Sequence, residues 1–176
     1  VRALNEDIRA ERQQCGNLAK GVEVGEVAYQ TNEGKRSFAV GDRIVFLENN
    51  KDLGVKNGML GTVEAVEQGR ITAMLDGKDR SVSVSTHDYR AFDHGYAVTI
   101  HKTQGATADR SFVMASQTMD RHLTYVAMTR HKDDVQLYAA LDEFTDRRAG
   151  QLVEHGVAPF ENRPEGRDSY FVTLEA

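Results

Sequence analysis

The sequence contains no tryptophan, one cysteine and only two prolines in 176 residues. A lone Cys15 excludes an internal disulfide and supplies no cysteine cluster for zinc, which fits a reducing, cytoplasmic setting. No apolar run approaches the roughly 20 residues of a membrane-spanning helix, and the amino terminus has no signal-peptide pattern, so no membrane partner is expected. Positive charge is also scarce: 22 Lys and Arg stand against 27 Asp and Glu, a net charge of −5. That excludes a broad basic face, and any grip on nucleic acid must be a local site of backbone amides and a few side chains. The six histidines are scattered without metal-ligand spacing, so no metal site is expected. No initiator methionine is present, which suggests a piece of a longer parent. What remains, 40 % hydrophobic and 28 % charged residues, is the composition of a globular protein with enough chain to bury a core.

A phosphate-binding P-loop is missing as well. G-K-R-S at 34–37 looks like the end of one. Arg36, however, stands where Ser or Thr must follow the lysine, and Tyr29 stands where the first glycine is required. No other stretch qualifies, so independent nucleotide hydrolysis of the usual kind is not expected.

Periodicity organises the chain into three parts. Over residues 1–14, Val1, Leu4 and Ile8 share one helical stripe opposite charges, predicting a helix that ends near Gly16. It starts without a cap, which suits either a preceding element in the parent or a free amphipathic amino-terminal helix. From 22 to 86 the period becomes two. Strands are expected around Val22–Tyr29, over Ile44–Leu47, and over 61–66, 70–75 and 81–85. Asn32–Lys35, Gln68-Gly69 and Asp76-Gly77 separate them, the last as a type I′ hairpin signal. Four or five short strands with tight turns indicate a small barrel. Beyond His87, Tyr96–Val98 reads as a strand, with Thr99 capping a one-turn helix that stops at Gly105. Ser111–Ala115 is a strand, Met119, Leu123 and Val126 or Ala127 recur at helical spacing, and Val135–Ala139 is a third strand. Strand and helix alternating this densely imply a parallel, doubly wound sheet, with ligands beyond the carboxyl ends of its strands. A helix is expected over 141–153. Residues 156–176, which hold Pro159 and Pro164, read as an extension or linker with a short Tyr170–Leu174 strand.

H-K-T-Q-G-A-T at 101–107, followed by Y-V-A-M-T-R at 125–130, resembles motifs V and VI of superfamily 1 helicases of the RecD-like branch. G-D-R-I-V-F-L-E-N-N at 41–50 with G-V-K-N-G-M-L-G-T-V at 54–63 is similar to the barrel inserted in the second RecA-like lobe of those enzymes. V-R-A-L-N-E-D-I-R at 1–9 resembles a helix of that lobe in TraA/TraI-type conjugative relaxases.

The resemblance implies an α/β fold. Residues 1–20 and 88–155 would form a second RecA-like lobe, a parallel sheet with flanking helices, and 21–87 an inserted Src-homology-3-like β-barrel. It implies ATP and Mg2+ in the full-length parent, at a site completed by a first RecA-like lobe absent from this chain, with neither bound here alone. Arg130 would be the arginine finger and, with Gly105, would border the nucleotide. Gln104 would couple the nucleotide cleft to the strand groove. His101, Lys102, Thr103 and Thr107 would contact single-stranded DNA, with Asn57 and Gly58 on the barrel. Thr107 stands where some members carry an acidic ribose ligand. Lys51, Lys56 and Arg43 would offer charge to the emerging strand. The alternatives are a nucleic-acid-binding barrel module and a protein-interaction module, including a decayed helicase domain, neither with a motor role.

Overall fold

The computed structural model describes residues 1–21, 25–103, 108–140 and 171–175. The chain forms two units, one spanning Arg2–Ala97 and the other comprising Val98–Ala176 together with Val1. Among the described residues no helix is long and apolar enough to cross a membrane.

The first unit opens with helix α1, Arg2–Gln14. Gly16 ends it at a φ of 75°. The Gly16 N–H donates to Gln13 and the Asn17 N–H to Arg12, the paired bonds of a Schellman stop that favours glycine at this left-handed position. The helix length agrees with the periodicity, but its inward face differs. Asn5 and Arg9 are buried, whereas Leu4 and Ile8 are only half-buried and Val1 is exposed. Buried polar partners, not apolar area, set the rotation of α1.

The strands β1 (Val27–Thr31) and β2 (Gly34–Phe38) pair antiparallel around Asn32-Glu33. G-K-R-S thus begins a hairpin strand, not a strand-to-helix phosphate loop. A separate five-stranded antiparallel sheet contains β3 (Arg43–Phe46), β4 (Leu60–Glu67), β5 (Arg70–Leu75), β6 (Ser81–Ser85) and β7 (Phe92–His94), in the order β6-β5-β4-β3-β7. β2 and β7 were not anticipated, because each is short and carries charged residues that break the alternation. The core lies between hairpin and sheet. Phe38 meets Phe92 at 5.6 Å between ring centroids, and Phe46, Ile44, Ile71 and Val84 are fully buried around them. Tyr29 donates its hydroxyl to the carbonyls of Glu67 and Arg70, and its burial pushes the phenol pKa up to about 12.

Gln68-Gly69 is the expected two-residue connection, with Glu67 opposite Arg70. Asp76-Gly77 is not. The Leu75 N–H donates to Arg80, which leaves a four-residue loop. The Asp76 N–H is used by Leu60 and its carboxylate by Arg43, so Asp76 faces the neighbouring strands rather than forming the centre of a I′ turn. Gly61 on β4 allows a close crossing, since a Cβ there would lie 2.5 Å from the Met74 carbonyl oxygen.

His94 packs 4.5 Å from the Phe38 ring and donates Nε2–H to the Ser37 carbonyl. Burial is the main influence and lowers its pKa from 6.5, outweighing the Ser37 bond and the nearby Asp42 and Asp93 charges. A depressed histidine pKa means that the unfolded chain takes up the proton first as pH falls. Stability is therefore full above pH 6.5 and declines below it, toward the lower folded value. Urea midpoints measured across this range should fall with acidity in the parent chain and flatten in His94→Gln. A slope unchanged by the substitution would contradict this assignment.

The boundary between the units falls within β8 (Ala97–Val98), which leads into a 3-10 turn at Ile100–Thr103 in the second unit. β9 (Ala108–Ala115), helix α2 (Arg121–Met128) and β10 (His131–Ala139) follow. β9 and β10 are parallel and joined through α2, as the sequence alternation implied. β11 (Phe171–Glu175) returns antiparallel to β9, so the four-stranded sheet, ordered β10-β9-β11-β8, is mixed rather than wholly parallel. The expected terminal strand is present within one residue. The helix expected over 141–153, the extension over 156–170 and the start of the first strand at 22–24 lie outside the described residues.

Candidate functional site

The 3-10 turn follows β8 directly. The Lys102 N–H donates to the Thr99 carbonyl at 2.9 Å, closing the turn from its first residue. His101 and Lys102 are both exposed. Thr103 completes the turn, and Gln104, Gly105 and Thr107 lie outside the described residues.

Helix α2 packs against this turn. Its start is set by Asp120, whose carboxylate accepts the Leu123 N–H at 2.7 Å. That cap was legible as an aspartate three residues before the first inward leucine, but was not read. Leu123 and Ala127 are buried, which leaves Tyr125 69 % exposed. Arg130 follows the helix end half-buried. Its Nε donates to the Val126 carbonyl at 3.0 Å and one Nη to the Thr129 hydroxyl at 3.2 Å. A guanidinium here satisfies a terminal carbonyl and meets the negative end of the helix dipole. The Arg130 carbonyl accepts the Ala108 N–H at 2.9 Å, tying the end of Y-V-A-M-T-R to the first residue of β9. The two motifs, separated in sequence, are thus brought side by side.

Asn57 and Gly58 lie in the first unit, in the loop after β3. The Asn57 N–H donates to the Asn49 side chain and the Gly58 N–H to the Phe46 carbonyl, so both amides serve the loop itself. The Asn57, Lys51 and Lys56 side chains are exposed. Arg43, expected to offer charge, is instead held by the Thr62 hydroxyl and bidentately by the Asp76 carboxylate. The basic surface here is therefore smaller than the sequence suggested.

A buried polar cluster in the first unit was missed entirely. The Asp42 carboxylate, with no exposure, accepts from Arg9 Nε and Nη2 at 3.0 Å, from the Ala39 N–H at 2.7 Å and from the Tyr96 hydroxyl at 2.5 Å. Arg9 also pairs with Glu26 at 2.8 Å. The Arg12 guanidinium stands 5.7 Å from the Tyr96 ring centroid. Burial and the Asp42 charge both push the Tyr96 pKa up, so the hydroxyl remains a donor. The Asn5 amide bonds both main-chain groups of Ala97, accepting from N–H and donating to C=O, each at 2.8 Å. The only sequence signal was the spacing of Asn5 and Arg9, four apart and so on one helical face.

Among the described residues there is no group of three or more His, Cys, Asp or Glu able to hold a metal. A half-buried arginine past a helix end is chemically suited to face a phosphate, and the sequence holds no phosphate-cradling loop.

The exposed turn after β8 thus stands beside a helix that Arg130 follows, within a parallel strand-helix-strand unit. Residues 39–139 match the viral superfamily 1 RNA helicase core domain, and the chain belongs to that family. It is 46 % identical over 156 residues to the probable conjugal transfer protein TraA of Sinorhizobium fredii, covering 88 % of this chain and 14 % of the relative. The ATP-dependent RecD2 DNA helicase of Deinococcus radiodurans is 30 % identical over 97 residues, covering 53 % of this chain and 13 % of that protein. In fold, the chain resembles the crystal structure of Bacteroides Pif1 bound to ssDNA, with a TM-score of 0.54 at 23 % identity, over 78 % of this chain and 38 % of that one. This is a superfamily 1 helicase-like chain of TraA type, and it spans only about a seventh of its TraA relative.

Proposed function

We propose that this chain is part of an ATP-driven DNA helicase of the conjugative relaxase type. It supplies a single-stranded DNA contact and an arginine finger to an ATP site completed by a P-loop lobe elsewhere in the parent protein. The observation that carries this is the packing of α2, which Arg130 follows by two residues, against the turn bearing His101 and Lys102.

In this reading His101, Lys102, Thr103 and Thr107 hold the phosphodiester backbone. Hydroxyls, amides and one or two cations bind phosphate without reading bases, as a translocating motor requires. Gln104 couples that grip to nucleotide hydrolysis, and Gly105 borders the nucleotide. ATP with Mg2+ supplies the phosphoryl-transfer chemistry when bound in the parent. Arg130 presents a planar, permanently charged group to the phosphate side of the cleft. Residues 1–20 and 88–155 belong to the second RecA-like lobe, and 21–87 to an inserted Src-homology-3-like barrel. Asn57 and Gly58 on that barrel line the path of the emerging strand, with Lys51 and Lys56 nearby. The parent acts in the cytoplasm.

The test is a titration of labelled single-stranded oligonucleotides of unrelated sequence at two salt concentrations. Lys102→Ala should weaken binding by a similar factor for every sequence and reduce the salt slope by roughly 0.7, the loss of one phosphate contact to a single strand. Thr103→Ala should weaken binding with little change in slope. Binding absent from the parent chain, or indifferent to both substitutions, would favour a decayed helicase domain that serves protein interaction.

A further inference from the structure

We infer that Asn5 of α1 is a positioning residue for the DNA-gripping turn, acting through the main chain of Ala97. This rests on the proposed function for what the turn grips, but not for how the turn is held.

The Asn5 amide is committed entirely to one distant residue. Its oxygen accepts the Ala97 N–H and its nitrogen donates to the Ala97 carbonyl, across 92 positions of sequence. Both residues are buried, Asn5 with 5 % exposure and Ala97 with none. A buried main-chain donor and acceptor without partners would each be costly, so this pairing has no cheap substitute. One position earlier, Tyr96 is fixed by its hydroxyl on Asp42, which Arg9 of the same helix also binds. Two successive residues, Tyr96 just before the strand and Ala97 its first, are thus held from α1 and the residue before β3. One residue beyond Val98, the chain becomes the turn, whose closing bond runs from the Lys102 N–H to the Thr99 carbonyl.

An apolar contact would bury Ala97 equally well but would tolerate sliding. A two-bond amide clamp defines both position and direction of the peptide, which suits a segment whose next residues must meet phosphates within a fraction of an ångström. The clamp gives α1 a role that its charged outer face and half-exposed Leu4 and Ile8 do not explain.

Amide hydrogen exchange of the full chain, read residue by residue beside oligonucleotide binding, tests this. In Asn5→Ala, exchange at Ala97 and Lys102 should accelerate by at least about tenfold through local opening. The Gly41 and Val63 amides, bonded to Val63 and Asp42, should stay within about twofold. Oligonucleotide affinity should fall together with Lys102 protection. Tyr96→Phe, which loosens the Asp42 cluster but spares the clamp, should leave Lys102 protected. Asn5→Asp keeps the acceptor for the Ala97 N–H and carries the same comparison should the alanine variant not fold. Faster exchange at Ala97 with Lys102 unchanged would overturn the positioning role. Failure of the parent chain to bind DNA would overturn the DNA reading alone, because Lys102 exchange still decides whether Asn5 positions the turn.

Discussion

Arg130→Ala is expected to lower ATP turnover by about 10³–10⁵ when this chain is joined to its P-loop lobe, the range for removal of an arginine finger. In the proposed role the guanidinium would start from an ordered position. It sits half-buried past the end of α2, oriented by the Val126 carbonyl and the Thr129 hydroxyl. Engaging a phosphate would exchange neutral acceptors, worth about 1 kcal/mol each, for stronger charge-assisted bonds. Arg130→Lys should recover little, because an ammonium lacks the planar fork that contacts two oxygens at once. The loss should appear in kcat, with nucleotide affinity much less affected, since the charge develops in the transition state. Steady-state ATPase and nucleotide titration measure the two separately. A loss below tenfold, or full rescue by lysine, would leave Arg130 as an ordinary helix-end arginine.

For folding, Asp42→Ala should be among the most damaging single changes in the first unit. Four donor atoms converge on a carboxylate with no exposure, from Arg9, Tyr96 and the Ala39 main chain. Deleting it leaves Arg9 and the Tyr96 hydroxyl buried with donors unpaired. Breaking a buried pair in this way costs about 3–5 kcal/mol, a large share of a typical stability of about 5–15 kcal/mol. Glu26 still faces Arg9 at 2.8 Å and should hold the loss toward the lower end of that range. At roughly 2–4 °C per kcal/mol for a chain of this size, calorimetry should register a fall in melting temperature of roughly 6–20 °C. A loss of less than about 1 kcal/mol would mean that the pair contributes no more than an exposed one. Asp42→Asn, which keeps shape and acceptor oxygen but not charge, should fall between.

Both predictions concern residues that the sequence presented unequally. Arg130 was conspicuous because Y-V-A-M-T-R is a dense local motif, and α2 and β10 around it follow from periodicity alone. Asp42 carries no signal of its own within G-D-R-I-V-F-L-E-N-N, because Arg9 and Tyr96 lie far from it in the sequence. The same division runs through the fold. Alternation marked β4, β5 and β6, Gln68-Gly69 marked the turn between β4 and β5, and Gly16 marked the end of α1, because those signals are carried by near neighbours and by the backbone freedom of glycine. β2 and β7 escaped because their charged side chains have partners elsewhere, as Arg36 does in Asp93 at 2.8 Å.

The chain by itself determined most of its helices and strands, though not β2 or β7, the order of its motifs and the absence of a P-loop, since each depends on residues a few positions apart. Only the tertiary structure decided which face of α1 is buried, that β11 returns antiparallel, that Arg43 is neutralised by Asp76, and that Asn5 holds Ala97. These depend on partners brought together from across the fold, and no local pattern encodes where a polar side chain will find its mate.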